Sequence, residues 1–133
     1  MAGERLLQTL DRRGAASDDL VRRAEGELRV QLPSDYVAFL KESNGAEGTI
    51  SESSYVALWP VDELRAANDD YGVVEFAPGL LLFGSDGGDT AYAFDTTDSM
   101  TVVEVPFIGM SRDEVRPVAP TFSEFLERLF GTR

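Results

Sequence analysis

A chain of 133 residues with no cysteine and no histidine is long enough to bury a sizeable core without covalent staples. That composition excludes disulfides, thiolate metal sites and every imidazole-based catalytic arrangement, leaving carboxylate, Lys, Tyr or Arg chemistry and carboxylate-bound calcium or magnesium. The formal net charge is −12, and the whole excess falls within residues 42–111, where thirteen acids face one base, Arg65.

The first periodic segment, Glu4–Leu10, places Leu6, Leu7 and Leu10 at helical spacing, and Gly14 ends it. Ser17 followed by Asp18 and Asp19 reads as an N-cap with first-turn acids. The stripe Leu20, Val21, Ala24 and Leu28 predicts a helix over Asp18–Leu28. Leu32-Pro33 breaks that helix, and a second one starts at Pro33 or Ser34. It carries Tyr36, Phe39 and Leu40 on one face and ends at Asn44-Gly45, residues that tolerate a left-handed C-cap.

The pattern then changes. Ser54–Trp59 reads as a strand closed by Pro60, and Val61–Asn68 as a short helix with Asp62 and Glu63 in its first turn. Asp69-Asp70 reads as a loop. Val73–Phe76, Leu80–Phe83, Thr90–Asp95 and Thr101–Phe107 read as strands, and Val115–Ala119 as an edge strand limited by Pro117. Gly84–Asp89 is a turn rich in residues that accept positive φ. Tyr92 and Phe94 alternate with Ala91 and Ala93, so the two aromatics share one sheet face, expected to be core, as is Trp59. Thr121-Phe122-Ser123-Glu124 is a capping-box pattern, and Phe122, Phe125, Leu126 and Leu129 make the last helix amphipathic. The expectation is one α+β domain over residues 1–133. It has a mainly antiparallel sheet of about five or six strands, N-terminal helices, and a C-terminal helix packed on the sheet.

Four pieces of this sequence resemble the SUKH superfamily, the SMI/KNR-type immunity and regulatory proteins. They are Leu32-Pro33-x-x-Tyr36-x-x-Phe39-Leu40-x-x-x-Asn44-Gly45, then Leu58-Trp59-Pro60-x-x-Glu63-Leu64. Next comes Phe83-Gly84-Ser85-Asp86-Gly87-Gly88 followed by Tyr92-x-Phe94-Asp95, and last Phe122-x-x-Phe125-Leu126-x-x-Leu129. Their order and spacing run from about Leu20 to Phe130; the sequence departs at Asp89, where the family's turn often has another glycine. The resemblance implies a non-enzymatic protein that binds and neutralises a toxin domain delivered between competing cells. A regulatory or scaffold module without a toxin partner is the alternative it leaves.

Charge and resemblance point the same way, because an acidic surface repels nucleic acid and anionic membrane and attracts basic proteins such as nuclease-type toxins. Glu63, Asp69, Asp70, Asp86 and Asp89 are the candidate partner-binding residues. No catalytic residue, resident metal or cofactor is assigned, although Asp86, Asp89, Asp95 and Asp98 leave a calcium site open, and Gly84–Asp89 leaves a phosphate cradle open. Asp62 with Glu63, and Asp69 with Asp70, are weighed as catalytic pairs and set aside: adjacent helical residues point apart and the first pair serves the helix N-terminus, while the second reads as a loop. No apolar run approaches the ~20 residues of a membrane span, and MAGERLLQTLDRRG lacks an apolar signal core. The chain is therefore expected to be cytoplasmic, and a monomer or weak homodimer.

Overall fold

The computed structural model describes residues 10–51 and 54–131. The helix expected over Glu4–Leu10 lies outside the described residues, except for Leu10, which is buried in the main core. The first two helices, α1 (Asp18–Leu28) and α2 (Ser34–Glu42), follow the predicted bounds. Ser17 caps α1 by accepting the Leu20 N–H at 3.1 Å. The last helix, α5 (Phe122–Gly131), is capped twice. Thr121 Oγ1 accepts the Glu124 N–H at 3.1 Å, and Asp35 of α2 accepts the Ser123 N–H at 2.8 Å, tying the two helices together.

The sheet is an antiparallel meander in which each strand pairs with its neighbour in sequence. Its strands are β1 (Asp11–Arg12), β2 (Ala46–Ser51), β3 (Ser54–Leu58), β4 (Leu80–Ser85), β5 (Thr90–Asp95), β6 (Thr101–Pro106) and β7 (Arg116–Ala119). The expected architecture holds, a mainly antiparallel sheet with N-terminal helices and a C-terminal helix packed on it, the seventh strand being the two-residue β1. The roster differs, because β1 and β2 join the sheet while Val73–Phe76 leaves it. Val73–Phe76 is a single helical turn, α4, preceded by Gly72 in the left-handed region at φ +66°. A segment this short with three apolar residues fits a strand or a single helical turn equally well, and the left-handed glycine decides for the turn.

One face of the sheet carries α1, α2 and α5. Its core is aromatic, with Tyr36 at the centre, 5.0 Å from the rings of both Phe94 and Phe122 and 5.7 Å from Phe83. Tyr92 and Phe94 point into this core as expected. The opposite face is built from Leu80, Leu82, Ala91, Ala93, Val103 and Val105. It is covered by Val73 and Ala77 around α4 and by Met110 from the β6–β7 connection, with Trp59 and Phe107 partly buried at its margin.

Two glycines fix how the chain crosses between these layers. A Cβ on Gly45 (φ +98°) would lie 2.6 Å from the Leu58 carbonyl oxygen, and one on Gly84 would lie 2.5 Å from that of Ala57. Both backbones pass too close to β3 for any side chain. Asn44 completes the joint: its Oδ1 accepts the Val61 N–H at 2.7 Å and its Nδ2 donates to Asp62 at 2.9 Å.

The strand β3 pairs with β4 only at Ala57–Ser85 and Leu58–Gly84, then Pro60 turns the chain out into a 3-10 turn (Val61–Glu63) and helix α3 (Leu64–Asp70). The helix takes the place of the missing strand. Asn68 Oδ1 accepts the Leu82 N–H at 2.8 Å, and Asn68 Nδ2 donates to the Leu82 carbonyl at 3.0 Å. One side-chain amide thus satisfies the pair of backbone groups that a strand would have met. Asn68→Ala is expected to cost about 2 kcal/mol, the price of leaving those groups unpaired. Urea unfolding measures the loss, and hydrogen exchange at the Leu82 amide should quicken in the same variant. An unchanged midpoint with unchanged exchange would mean that the amide is dispensable.

Candidate functional site

The central acids divide into those that hold the fold and those that face solvent with nothing to hold. Asp95 belongs to the first group. It is 5 % exposed and accepts a two-pronged contact from Arg112, Nη1 to Oδ1 at 3.2 Å and Nη2 to Oδ2 at 3.1 Å. Both the N–H and the hydroxyl of Thr97 add to Oδ1. Burial raises the Asp95 pKa, but the hydrogen bonds from Arg112 and Thr97 outweigh it, and the carboxyl sits below its ordinary value. This pair pins the β6–β7 connection to the end of β5.

Asp86 is also a builder. Its Oδ1 accepts the N–H groups of Gly88 at 2.8 Å and Thr90 at 3.2 Å, while Ser85 Oγ accepts the N–H of Gly87 at 3.1 Å. The amides that would cradle a phosphate are therefore already bonded inside the β4–β5 turn. Gly87 (φ +83°) lies directly under the Tyr55 ring, which a Cβ would strike at 2.5 Å. The four aspartates weighed as a calcium site are not together. Asp86 and Asp89 flank the start of β5, whereas Asp95 and Asp98 lie at its far end, about 17 Å away at the rise of a strand. Among the described residues no group of three or more carboxylates could hold a metal ion. The Tyr92 phenol is pushed up to about 12, first by burial and then by the Asp86 and Glu104 charges, which keeps it protonated and removes it as a phenolate base or nucleophile near neutral pH.

The five candidate partner-binding residues separate accordingly. Asp69 and Asp70 are in the last turn of α3, not in a loop. Asp69 is tied to Arg65 at 3.1 Å, one helical turn back. Asp86 serves the turn. Glu63, Asp70 and Asp89 are exposed and make no side-chain hydrogen bond or ion pair among the described residues. Glu75 of α4 shares those properties and was not singled out from the sequence. Glu63 and Asp70 are spaced by two helical turns and so lie on one side of the segment.

Beside these acids runs a strip of exposed apolar surface. The Tyr71 ring, 44 % exposed, stacks on Trp59 at 6.3 Å and lies tilted against Phe107 at 4.6 Å. Ile108, next to Phe107, is 90 % exposed. The Phe76 ring, half-exposed, lies against Gly72 beside Tyr71. Trp59 is half-buried here, more outward than a core residue. Sequence reasoning missed Tyr71, Phe107 and Ile108 because they come from different connections that only the fold brings together. Ile108-Gly109, an aliphatic residue inside a turn, is the one local signal that pointed to them.

Elsewhere among the described residues lies a groove of about 420 Å³ between the C-terminal end of α1 and the α3–α4 segment, lined by Leu28, Arg29, Arg65, Asn68, Val74 and Leu80 among others. Its charged lining is Glu27, Arg29, Arg65 and Asp69, of which Arg65 and Asp69 are already paired with each other.

Comparison with known families gives one match, to the family described as SMI1 / KNR4 family (SUKH-1), over residues 15–128. No curated protein matches the chain.

The Asp95–Arg112 pair makes a pH-dependent prediction. Because the folded carboxyl lies below its unfolded value near 3.9, its stabilisation is complete above that value and is lost as pH falls through the folded one. Arg112→Ala is expected to cost about 2 kcal/mol at pH 7, less than for a fully enclosed pair because Arg112 keeps about a third of its side chain in solvent. The gap between wild type and variant should narrow as pH drops from about 5 towards 2. Denaturant unfolding across that range measures the gap, and parallel curves would refute the assignment.

Proposed function

The chain belongs to the SMI1/KNR4 family (SUKH-1), and on that premise we propose that it is a non-catalytic immunity protein of the cytoplasm. It binds a basic toxin domain, of nuclease type, and covers its substrate-binding surface. The observation that carries this reading is the placing of the acid excess. The surplus negative charge comes entirely from residues 42–111. Of the carboxylates there that make no side-chain bond among the described residues, Glu63, Asp70 and Glu75 stand exposed along the 3-10 turn, α3 and α4, and Asp89 in the β4–β5 turn, while Glu42 and Asp98 are exposed at the end of α2 and in the β5–β6 turn.

The physics of such an antidote is steering followed by desolvation. A nuclease concentrates positive charge because it must hold a phosphate backbone. An acidic partner accelerates encounter with that surface and competes with the nucleic acid for it. No proton transfer or bond-making is asked of the antidote, which fits a chain without histidine or cysteine. Among the described residues no helix is long and apolar enough to cross a membrane.

The test is capture followed by inhibition. The tagged chain is expressed together with candidate toxin domains, complexes are recovered at low salt, and the activity of each recovered toxin is titrated with purified chain. A stoichiometric basic partner, silenced at one equivalent, is the expected result, with an association rate that falls about tenfold or more as salt is raised from low to physiological ionic strength. A toxin that keeps its activity in excess chain, or a main partner that is a non-basic cellular regulator, would overturn the reading in favour of a scaffold module.

A further inference from the structure

Trp59 and Phe107 pack against the cores, but the fold gives no reason for the strip to continue outward through Tyr71 and Ile108. Ile108 is almost wholly exposed, and Tyr71 could be polar without opening either core, since neither core contains it. Yet the three rings run in contact as a continuous shelf, Tyr71 stacked on Trp59 at 6.3 Å and tilted against Phe107 at 4.6 Å. Unpaired carboxylates border it. Asp70 precedes Tyr71 in the chain. Asp89 lies across from Phe107, whose N–H donates to the Asp89 carbonyl at 2.9 Å. The β5–β6 register, Thr90 opposite Pro106, continues to place these two residues opposite one another. Between Trp59 and Ser111 the sequence has a single base, Arg65, and it is engaged with Asp69 and with the Glu27 carbonyl on the side of α3 that faces α1.

Aromatic faces carry negative quadrupole density, and carboxylates beside them add to the same field. A shelf of this kind rejects a second copy of the chain, which brings the same acids, and it rejects nucleic acid and anionic membrane. A planar, weakly hydrated cation that also donates in a fork matches both parts of it, and that cation is the arginine guanidinium; the lysine ammonium is more strongly hydrated and cannot stack. We propose that this shelf is the docking surface for the basic partner, and that it receives arginine side chains laid on the Tyr71 ring, with their donors turned to Asp70 and Asp89. This rests on the proposed reading of the chain as a binder of basic protein, and names the surface and the side-chain chemistry that reading leaves open.

Trp59 is the chain's one tryptophan, so its emission reports on the shelf directly. The purified chain is titrated at low salt with a short arginine-rich peptide, with its lysine counterpart and with a glutamate-rich peptide. Calorimetry follows binding at any site, and Trp59 emission follows the shelf. The expected result is that the arginine peptide binds about fivefold or more tightly than the lysine one and shifts Trp59 emission, while the glutamate peptide does neither. Tyr71→Ala should weaken the arginine peptide about tenfold. Ile108→Lys, at a position too exposed to disturb folding, should weaken it in the same direction. Glu127→Gln on α5, remote in the chain from the shelf, should bind as wild type. Heat of binding with unmoved Trp59 emission, or wild-type affinity in both Tyr71→Ala and Ile108→Lys, would overturn the shelf and leave the acidic-binder reading standing. No heat with either basic peptide would overturn both.

Discussion

The parting of β3 from β4 after two residue pairs is the constraint on which the rest of this molecule depends. A β4 edge left open there would expose backbone donors and acceptors and would have to be paired or covered. Pro60 ends the ladder, and Asn68 returns fourteen residues upstream of Leu82 to close the edge with its amide. Between those points the chain crosses from one side of the sheet to the other. Val61 and Leu64 are still in the aromatic core, and Val73 and Ala77 are already in the second one. The glycines at 45 and 84 let the backbone layers come close enough for this crossing. The crossing also carries Glu63, Asp70, Tyr71 and Glu75 to the surface of the second face. The same joint that completes the sheet therefore sets out the candidate binding layer.

Much of this was legible in the sequence wherever a local rule had no competitor. Ser17, Thr121 and the apolar stripes fixed α1, α2 and α5, because caps and 3.6-residue periodicity agreed at those places. The alternation Ala91-Tyr92-Ala93-Phe94 correctly assigned large aromatics to one face and small residues to the other. The strand β2 escaped because Ala-Glu-Gly-Thr-Ile-Ser offers the core little beyond Ala46, and its place is set by pairing with β3, a tertiary fact. Val73–Phe76 misled for the opposite reason. It has the composition of a strand, yet it caps the second core as one helical turn, and tertiary context overrode propensity. Asp69-Asp70 looked like a loop because nothing in the local sequence showed that Asn68 anchors the helix through to its last turn.

The charge was legible in amount and not in role. Thirteen acids in one stretch predicted a field, but a linear sequence does not separate a carboxylate that folds the chain from one that meets a partner. Asp62 holds Asn44, Asp86 holds a turn, and Asp95 holds Arg112. Each is bonded within its own structure, and reversing its charge would disturb the fold before it tested any interface. Asp95 is the clearest case. Alone it would be a costly buried charge, and with Arg112 and Thr97 it fastens two loops that are seventeen residues apart in the chain. Glu63, Asp70, Glu75 and Asp89 are informative because the fold asks nothing of them.

The residues that carry the family resemblance show why family and function have to be argued separately. Tyr36, Phe39, Leu40, Phe83, Phe94, Phe122 and Phe125 fill one core. Asn44, Gly45 and Gly84 make the crossing, and Asp86 with Gly87 makes the turn. They specify the scaffold, and a scaffold can present many different surfaces. Of the unbonded exposed carboxylates and the aromatic strip, only Glu63 and Trp59 also belong to the motifs. Trp59 packs against both cores and also forms the floor of the Tyr71 shelf. Any change of partner within such a fold is then cheapest at Tyr71, Ile108 and the free carboxylates around them, because those positions alter what the surface recognises without touching either core.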